Sequence, residues 1–375
     1  MRSICSTLII IFLIFNAFAS DYVLPDEIKF AGVKVPLEKF DVRERLTRTF
    51  NTFTLDRRGY IQNIINKQHY YLPYAKEVLT QYGVHEDLAY IMPVESEFDP
   101  RAYSSAKASG LWQMMPATAK MYGLRVDDYA DDRNMPERAA KAAAEHLRML
   151  AKVTNSDPFL MVASYNNGDS NVRNTIKAQK AGDFWEARSN HETEFYVEKV
   201  IIYKILMSDP EKYGFTIPED PDKPEYELCM VSMGSNNLYF TEICEVLGIT
   251  YRELYKANPH LKFGTYKSAS YISKYTAQEI LVPKGSSDRL LLELKKRNYL
   301  AGSPDSPVIS SEVKTKGLKE DIYEIRYNDN IESIAFKYGI DWKKIAELND
   351  LKIITLSSGI ETAELNRGQK LRIIH

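Results

Sequence analysis

Glu95 ends an apolar, helix-period run, Leu88-Ala-Tyr-Ile-Met-Pro-Val-Glu95, and is followed by a stretch of small residues: Ser104, Ser105, Ala106, Ala108, Ser109 and Gly110. A carboxyl at a helix end beside a loop that a bulky ligand can approach is suited to moving a proton. Nine positions separate Glu95 from Ser104, and nine more reach Gln113, whose side chain offers both a donor and an acceptor for a polyol or an amide. A second carboxylate at a glycosidase spacing (about 5–5.5 Å or about 6.5–9.5 Å) does not stand out nearby. Glu97 faces away if the helix persists, and Asp99 sits in a helix-breaking Asp-Pro pair. A lone acid is sufficient where the substrate itself supplies the nucleophile.

Several elements must position this carboxyl. Pro93 removes a helix hydrogen bond just before Glu95 and predicts a kink or tightening there. Asp99-Pro100 predicts the stop. Further helices are predicted over 42–53, 60–80, 116–122, 158–165 and 193–207. Ala140, Ala143, Ala144, Leu147 and Ala151 form an i, i+3, i+4, i+7, i+11 face suited to close packing at the centre of a bundle.

The joint pattern resembles a known family. Glu95-Ser, then Gly110-Leu-Trp-Gln113-Met-Met-Pro-Ala-Thr-Ala119, then Ser164-Tyr-Asn-Asn-Gly168 and Glu192-Thr-x-x-Tyr196-Val resemble the goose-lysozyme-like (SLT) catalytic domain of lytic transglycosylases over most of residues 70–210. The resemblance implies a mainly α, lysozyme-like fold. It also implies Glu95 as sole acid and base, cleaving the bond between N-acetylmuramic acid and N-acetylglucosamine without water, metal or cofactor. The muramyl 6-hydroxyl closes on the anomeric carbon to give a 1,6-anhydro product. Ser104, Gln113, Met115, Tyr165, Asn166, Glu192 and Tyr196 would line the groove or orient Glu95. Each also has an ordinary structural reading: Tyr165 as a core-rim aromatic, Asn166 as a helix-end cap, Glu192 as a surface charge, Met115 as core. Two positions depart from the family pattern: Lys107 stands where glycine is common, and Ser164 where alanine is usual.

Beyond the catalytic region lies an internal repeat. Ile243-Cys-Glu-Val-Leu-Gly-Ile249, Leu254 and Asn258 match Ile334-Ala-Phe-Lys-Tyr-Gly-Ile340, Ile345 and Asn349, each pair offset by 91 positions. Helices divided at Gly-Ile and a closing strand (280–283, 371–374) resemble LysM modules, with an opening strand also read at 322–326. The second copy matches well; the first is degenerate, with an insertion at 262–276 and doubtful sugar binding. Residues 322–375 carry eight acidic and eight basic side chains, which excludes simple electrostatic capture of a polymer.

The 375-residue chain has a net charge of −2, so no global basic field suggests a nucleic-acid partner. Arg2, the apolar run 8–15 and Ala17-Phe18-Ala19 read as a cleaved secretory signal, too short for a membrane span. That implies a periplasmic or cell-envelope protein with peptidoglycan glycan strands as its partner. Cys5 lacks a lipoprotein context. Cys229 and Cys244 are read as a disulfide pair, with two buried thiols as the alternative.

The predicted organisation is a multidomain chain. It comprises a signal peptide (1–19), lead-in and catalytic domain (20–213), a linker (214–225) and a degenerate LysM-like module (226–284). A second linker (285–320), holding a short helix near 290–298, and a LysM module (321–375) complete it, both modules being small and α+β. Truncation near residue 225 is expected to leave the catalytic half working on soluble glycan. The alternatives are a hydrolytic muramidase and a non-catalytic peptidoglycan-binding scaffold.

Overall fold

In a computed structural model, residues 22–218, 225–232, 236–263, 271–272, 277–300, 320–325, 331–338, 342–355, 361–366 and 368–374 are described. The signal segment and the Gly339-Ile340 pair lie outside these residues. Contacts divide the chain into two units: the first within Met1–Phe98 and Ala144–Pro221, the second within Asp99–Ala143 and Asp222–His375.

In chain order, the first unit opens with a short hairpin, β1 (Lys29–Phe30) and β2 (Val33–Lys34), in the expected lead-in. Ala31 and Gly32 turn it with φ of 48° and 78°, the pattern of a tight hairpin turn. Helix α1 (Phe40–Asn51) runs into a π-helical turn, Thr52–Asp56. The single helix expected over 60–80 is two, α2 (Arg58–Ile65) and α3 (Gln68–Gln81), separated at Asn66-Lys67. A 3-10 turn, Glu86–Tyr90, then feeds α4 (Ile91–Ser96). Pro93 sits in the first turn of α4, where its missing N–H is not needed, so the tightening occurs just upstream of it. Helix α4 ends before Asp99-Pro100 because Glu97 and Phe98 take left-handed φ of 53° and 56°.

Next in the chain come α5 (Pro116–Met121), which belongs to the second unit, and α6 (Pro136–Val153), whose first half belongs to the second unit and second half to the first. Helices α7 (Pro158–Asn167), α8 (Asp169–Gln179) and α9 (His191–Ser208) belong to the first. The alanine face of α6 is buried at Ala140, Ala143, Ala144 and Leu147, as its spacing requires. The organiser of the first unit is nevertheless α9. It buries residues around its whole circumference and packs against α1, α4 and α7.

In the second unit, β3 (Tyr226–Ser232) precedes β4 (Leu238–Tyr239), α10 (Phe240–Leu247), α11 (Tyr251–Ala257), β5 (Tyr271–Ile272) and β6 (Ala277–Pro283). Strands β3 and β6 are antiparallel, with Cys229 opposite Ile280. Helix α12 (Ser287–Lys296) inserts fully buried Leu290 and Leu294 into the same core, so 285–300 is part of this module rather than linker. The second copy repeats the plan: β7 (Glu320–Glu324), α13 (Ile331–Tyr338), α14 (Trp342–Leu348), the β8 (Ile353–Thr355) and β9 (Glu361–Ala363) pair, and β10 (Lys370–Ile374) antiparallel to β7.

The repeat has a physical basis in its asparagines. Asn258 Nδ2 donates to Leu254 O and Leu281 O, while its Oδ1 accepts from Leu281 N. Asn349 makes the same bracket with Ile345 O, Arg372 O and Arg372 N. Each ties a helix end to the closing strand.

The disulfide reading is corrected: Cys229 and Cys244 are free, buried thiols. Both pack as small hydrophobes in the core of the first copy, and burial pushes the Cys229 thiol up to about 12.

Candidate active site

Three helices of the first unit converge on Glu95. It lies in the last turn of α4, two residues before the left-handed pair that ends the helix. Helix α7 is started by Asp157, whose carboxylate accepts from Phe159 N and Leu160 N, and is ended by Gly168 at φ 81°. It presents Tyr165 and Asn166. Helix α9 is started by Asn190, which accepts from Thr193 N at 2.8 Å, and carries Glu192, Tyr196 and Lys199.

Tyr196 Oη donates to Glu95 Oε1 at 2.5 Å. Asn166 works one step away: its Oδ1 accepts from Thr193 Oγ1 at 2.9 Å, docking the end of α7 on the start of α9. The carboxyl of Glu95 is partly accessible yet densely enclosed, and this desolvation raises its pKa to about 7. The Tyr196 hydrogen bond and the Lys199 ammonium pull the other way, while Glu192 adds repulsion. Burial also keeps the Tyr165 and Tyr196 hydroxyls well above their usual pKa, with Glu95 adding to it. The site can therefore hold Glu95 as a neutral acid near neutrality, with a tyrosine donor ready to stabilise its ionised form.

Lys199 and His146 are contributors that the sequence reading did not single out. Lys199 lies one helical turn beyond Tyr196, 5.7 Å from that ring's centroid, and its own pKa is lowered by burial against the attraction of Glu95 and Glu192. His146 meets the Tyr165 ring edge-on at 5.5 Å between centroids, and burial depresses its pKa. The i, i+3 spacing of Tyr196 and Lys199 was a usable signal. For His146 there was none, since its partner lies on another helix. Glu97 is exposed and accepts from Tyr60 Oη. The helix stops at Ser96, so it is the left-handed backbone at Glu97, and not a continued helical spacing, that gives it another partner.

Ser104, Gln113 and Met115 belong to the second unit. Ser104 shapes its own turn: its Oγ accepts from Ala108 N at 3.0 Å and its carbonyl accepts from Lys107 N at 2.9 Å. Lys107 adopts φ 71°, which explains why glycine is the easier residue there. Gln113 stands at φ 44° and commits its amide nitrogen to Ala102 O and Gly110 O, both at 3.0 Å. Met115 is 44% exposed, so it is a surface side chain rather than core. Met92 and Met114, which flank Glu95 and Met115 in sequence, are both buried, each in its own unit.

A hollow of about 540 Å³ on α1, lined by residues including Phe40, Arg43, Thr47 and Arg48, shares no residue with the surroundings of Glu95. Among the described residues, no group of three or more His, Cys, Asp or Glu is arranged to hold a metal ion. Nor is any of their helices long and apolar enough to cross a membrane.

Two stretches of the chain match known families. Residues 73–188 match the family model of the transglycosylase SLT domain, and residues 323–373 that of the LysM domain. The chain carries an SLT domain and a LysM domain. The SLT match spans Glu95, Tyr165 and the loop 99–115. The chain is homologous to membrane-bound lytic murein transglycosylase D of Escherichia coli K12, with 27% identity over 310 residues, 81% of this chain and 65% of that protein. It therefore spans 65% of that relative's length. It is 39% identical over 155 residues to peptidoglycan transglycosylase gp16 of Escherichia phage T7, covering 40% of this chain and 12% of that one. Among solved structures, a Pseudomonas aeruginosa lytic transglycosylase Slt, captured as an inactive mutant, aligns with a TM-score of 0.31 at 22% identity. That alignment covers 38% of this chain and 24% of that one, a likeness too partial to carry weight.

Proposed function

We propose that this protein is a peptidoglycan lytic transglycosylase of the cell envelope, with Glu95 as its single acid and base. The observation that carries the reading is the enclosed Glu95 carboxyl, with a pKa raised to about 7 and Tyr196 donating to it. In the first step the protonated carboxyl donates to the glycosidic oxygen between N-acetylmuramic acid and N-acetylglucosamine, and that bond breaks as the aglycone leaves. In the second, the Glu95 carboxylate accepts the proton of the muramyl 6-hydroxyl while that oxygen bonds to the anomeric carbon. The acid is regenerated, and a 1,6-anhydro product forms without consuming water.

The burial that keeps Glu95 protonated for the first step would make its ionised form costly in the second. Tyr196, already hydrogen-bonded, and the nearby Lys199 charge offset that cost. In segment 99–143, Gln113 Oε1 and exposed Met115 are the groups that this reading offers to a sugar. The LysM domain, residues 323–373, supplies weak glycan binding that raises the local substrate concentration of a tethered catalytic unit.

A hydrolytic muramidase is the second reading, favoured by one observation: Glu192 is a carboxylate close enough to add repulsion at Glu95. A non-catalytic scaffold is the third. The turbidity of a suspension of purified sacculi tests for any cleavage. The wild-type chain is expected to clear the suspension, and Glu95→Gln, which keeps the shape but delivers no proton, to leave it turbid. Equal clearing by both proteins would remove Glu95 from the chemistry, and clearing by neither would favour the scaffold.

A further inference from the structure

The first repeat copy is bound to segment 99–143 along one whole edge. Arg101 Nη2 donates to Asn258 O at 2.8 Å and to Tyr255 O, while its guanidinium lies 3.7 Å from the Tyr255 ring centroid. Ala130 and Leu261 form an antiparallel bridge, flanked by Asp131 N→His260 O at 2.8 Å and Lys262 N→Tyr129 O at 3.0 Å. Arg125 Nη1 donates to Gln278 Oε1 at 3.2 Å. Arg138 is shared between Asp132, at 3.0 Å, and Glu279. Met135 joins Ala257 and Leu281 in a buried cluster, with Tyr226 and Leu228 packed against it.

These contacts continue into the loop that carries Ser104 and Gln113. Asp131, bonded through its backbone to His260, holds the buried Arg133 guanidinium with both carboxylate oxygens, at 2.8 and 2.6 Å. Arg133 Nη1 in turn donates to Lys107 O at 2.6 Å and Met114 O at 2.8 Å. Ser109 Oγ donates to Asn134 Oδ1 at 2.7 Å. One hydrogen-bonded path thus runs from the module through Asp131 and Arg133 to both ends of the loop 107–114.

We propose that the first repeat copy is a brace for segment 99–143 and not a glycan-capturing module, with Arg101 and the Arg138–Glu279 pair as positioning residues. The helix end and closing strand that the Asn258 bracket joins are the surfaces the segment occupies. Removing the chain after residue 225 would strip the module-side partners of Arg101, Arg125, Asp131 and Arg138 together, so the catalytic half is not expected to survive that truncation unchanged. The catalytic consequence rests on the transglycosylase reading; the bracing does not.

The test uses the full chain and two variants, Arg101→Ala and Glu279→Gln, followed by hydrogen–deuterium exchange and by kinetics on short soluble glycan strands. Exchange in peptides covering 101–135 is expected to rise about tenfold, while peptides from α1 and α9 keep their protection. KM should rise more than kcat falls, Arg101→Lys should restore part of the loss, and retention on sacculi should not change. If Glu279→Gln fails to fold, Arg101→Ala decides alone, because it leaves the Arg138 pair in place. Unchanged exchange over 101–135, or lost sacculus binding without altered exchange, would overturn the brace. If the wild-type chain has no turnover, the transglycosylase reading fails, while the exchange result still judges the brace.

Discussion

Tyr196 Oη donates to Glu95 Oε1 across 2.5 Å, joining residues 101 positions apart on two packed helices. This bond favours the ionised carboxyl, against the burial that favours the neutral one. Tyr196→Phe should therefore raise the Glu95 pKa above about 7, moving the alkaline limb of the pH–rate profile upward. Turnover should fall about 10- to 100-fold, since the carboxyl loses both its orientation and support for its charged form. A pH–rate profile with saturating glycan checks both, and an alkaline limb that moves downward would contradict the assignment.

A second prediction concerns stability. Glu95 titrates at about 7 in the fold against a reference of 4.5. The folded state thus binds the proton more tightly than the unfolded one. Stability associated with Glu95 is full below about pH 4.5, declines as pH rises towards 7, and stays reduced above it. Glu95→Gln removes this ionisation, so the variant should melt higher than the wild type at pH 8 and at a similar temperature at pH 4. Calorimetry at the two pH values measures the difference.

Segment 99–143 makes a third. Lys107 holds φ 71°, a conformation costing about 1–2 kcal/mol for a residue with a Cβ. Lys107→Gly should stabilise the chain by about 1 kcal/mol, the unfolded-state entropy of glycine offsetting part of the relief. Gly110 is the opposite case: a Cβ there would meet Arg133 O at 1.8 Å. Gly110→Ala should cost more than about 3 kcal/mol, or prevent the segment from ordering. Denaturant melts of the two variants should move in opposite directions.

How much of this was legible depended on how local each determinant is. The apolar run to Glu95, the alanine face of α6 and the 91-residue offset are periodic, and the structure realises them as helices and as paired modules. The offset even led to the right atoms, since Asn258 and Asn349 make identical brackets. Helix α8 went unread because it buries only Val172 and shows no apolar stripe. The break at Asn66-Lys67 has neither glycine nor proline to announce it. Contacts such as Arg138–Glu279, 141 positions apart, leave no periodic trace, and so the first copy read as a separate module. Spacing likewise cannot say whether two cysteines meet, and Cys229 and Cys244 do not.

The central claim is that Glu95 alone, with the muramyl 6-hydroxyl as nucleophile, breaks the glycan. Mass spectrometry of the soluble products released from purified sacculi tests it most directly. The account predicts muropeptides lighter by one water than their reducing-end counterparts, carrying 1,6-anhydro ends, and none from Glu95→Gln. Reducing-end products from the wild-type chain, made with water as the nucleophile, would contradict it.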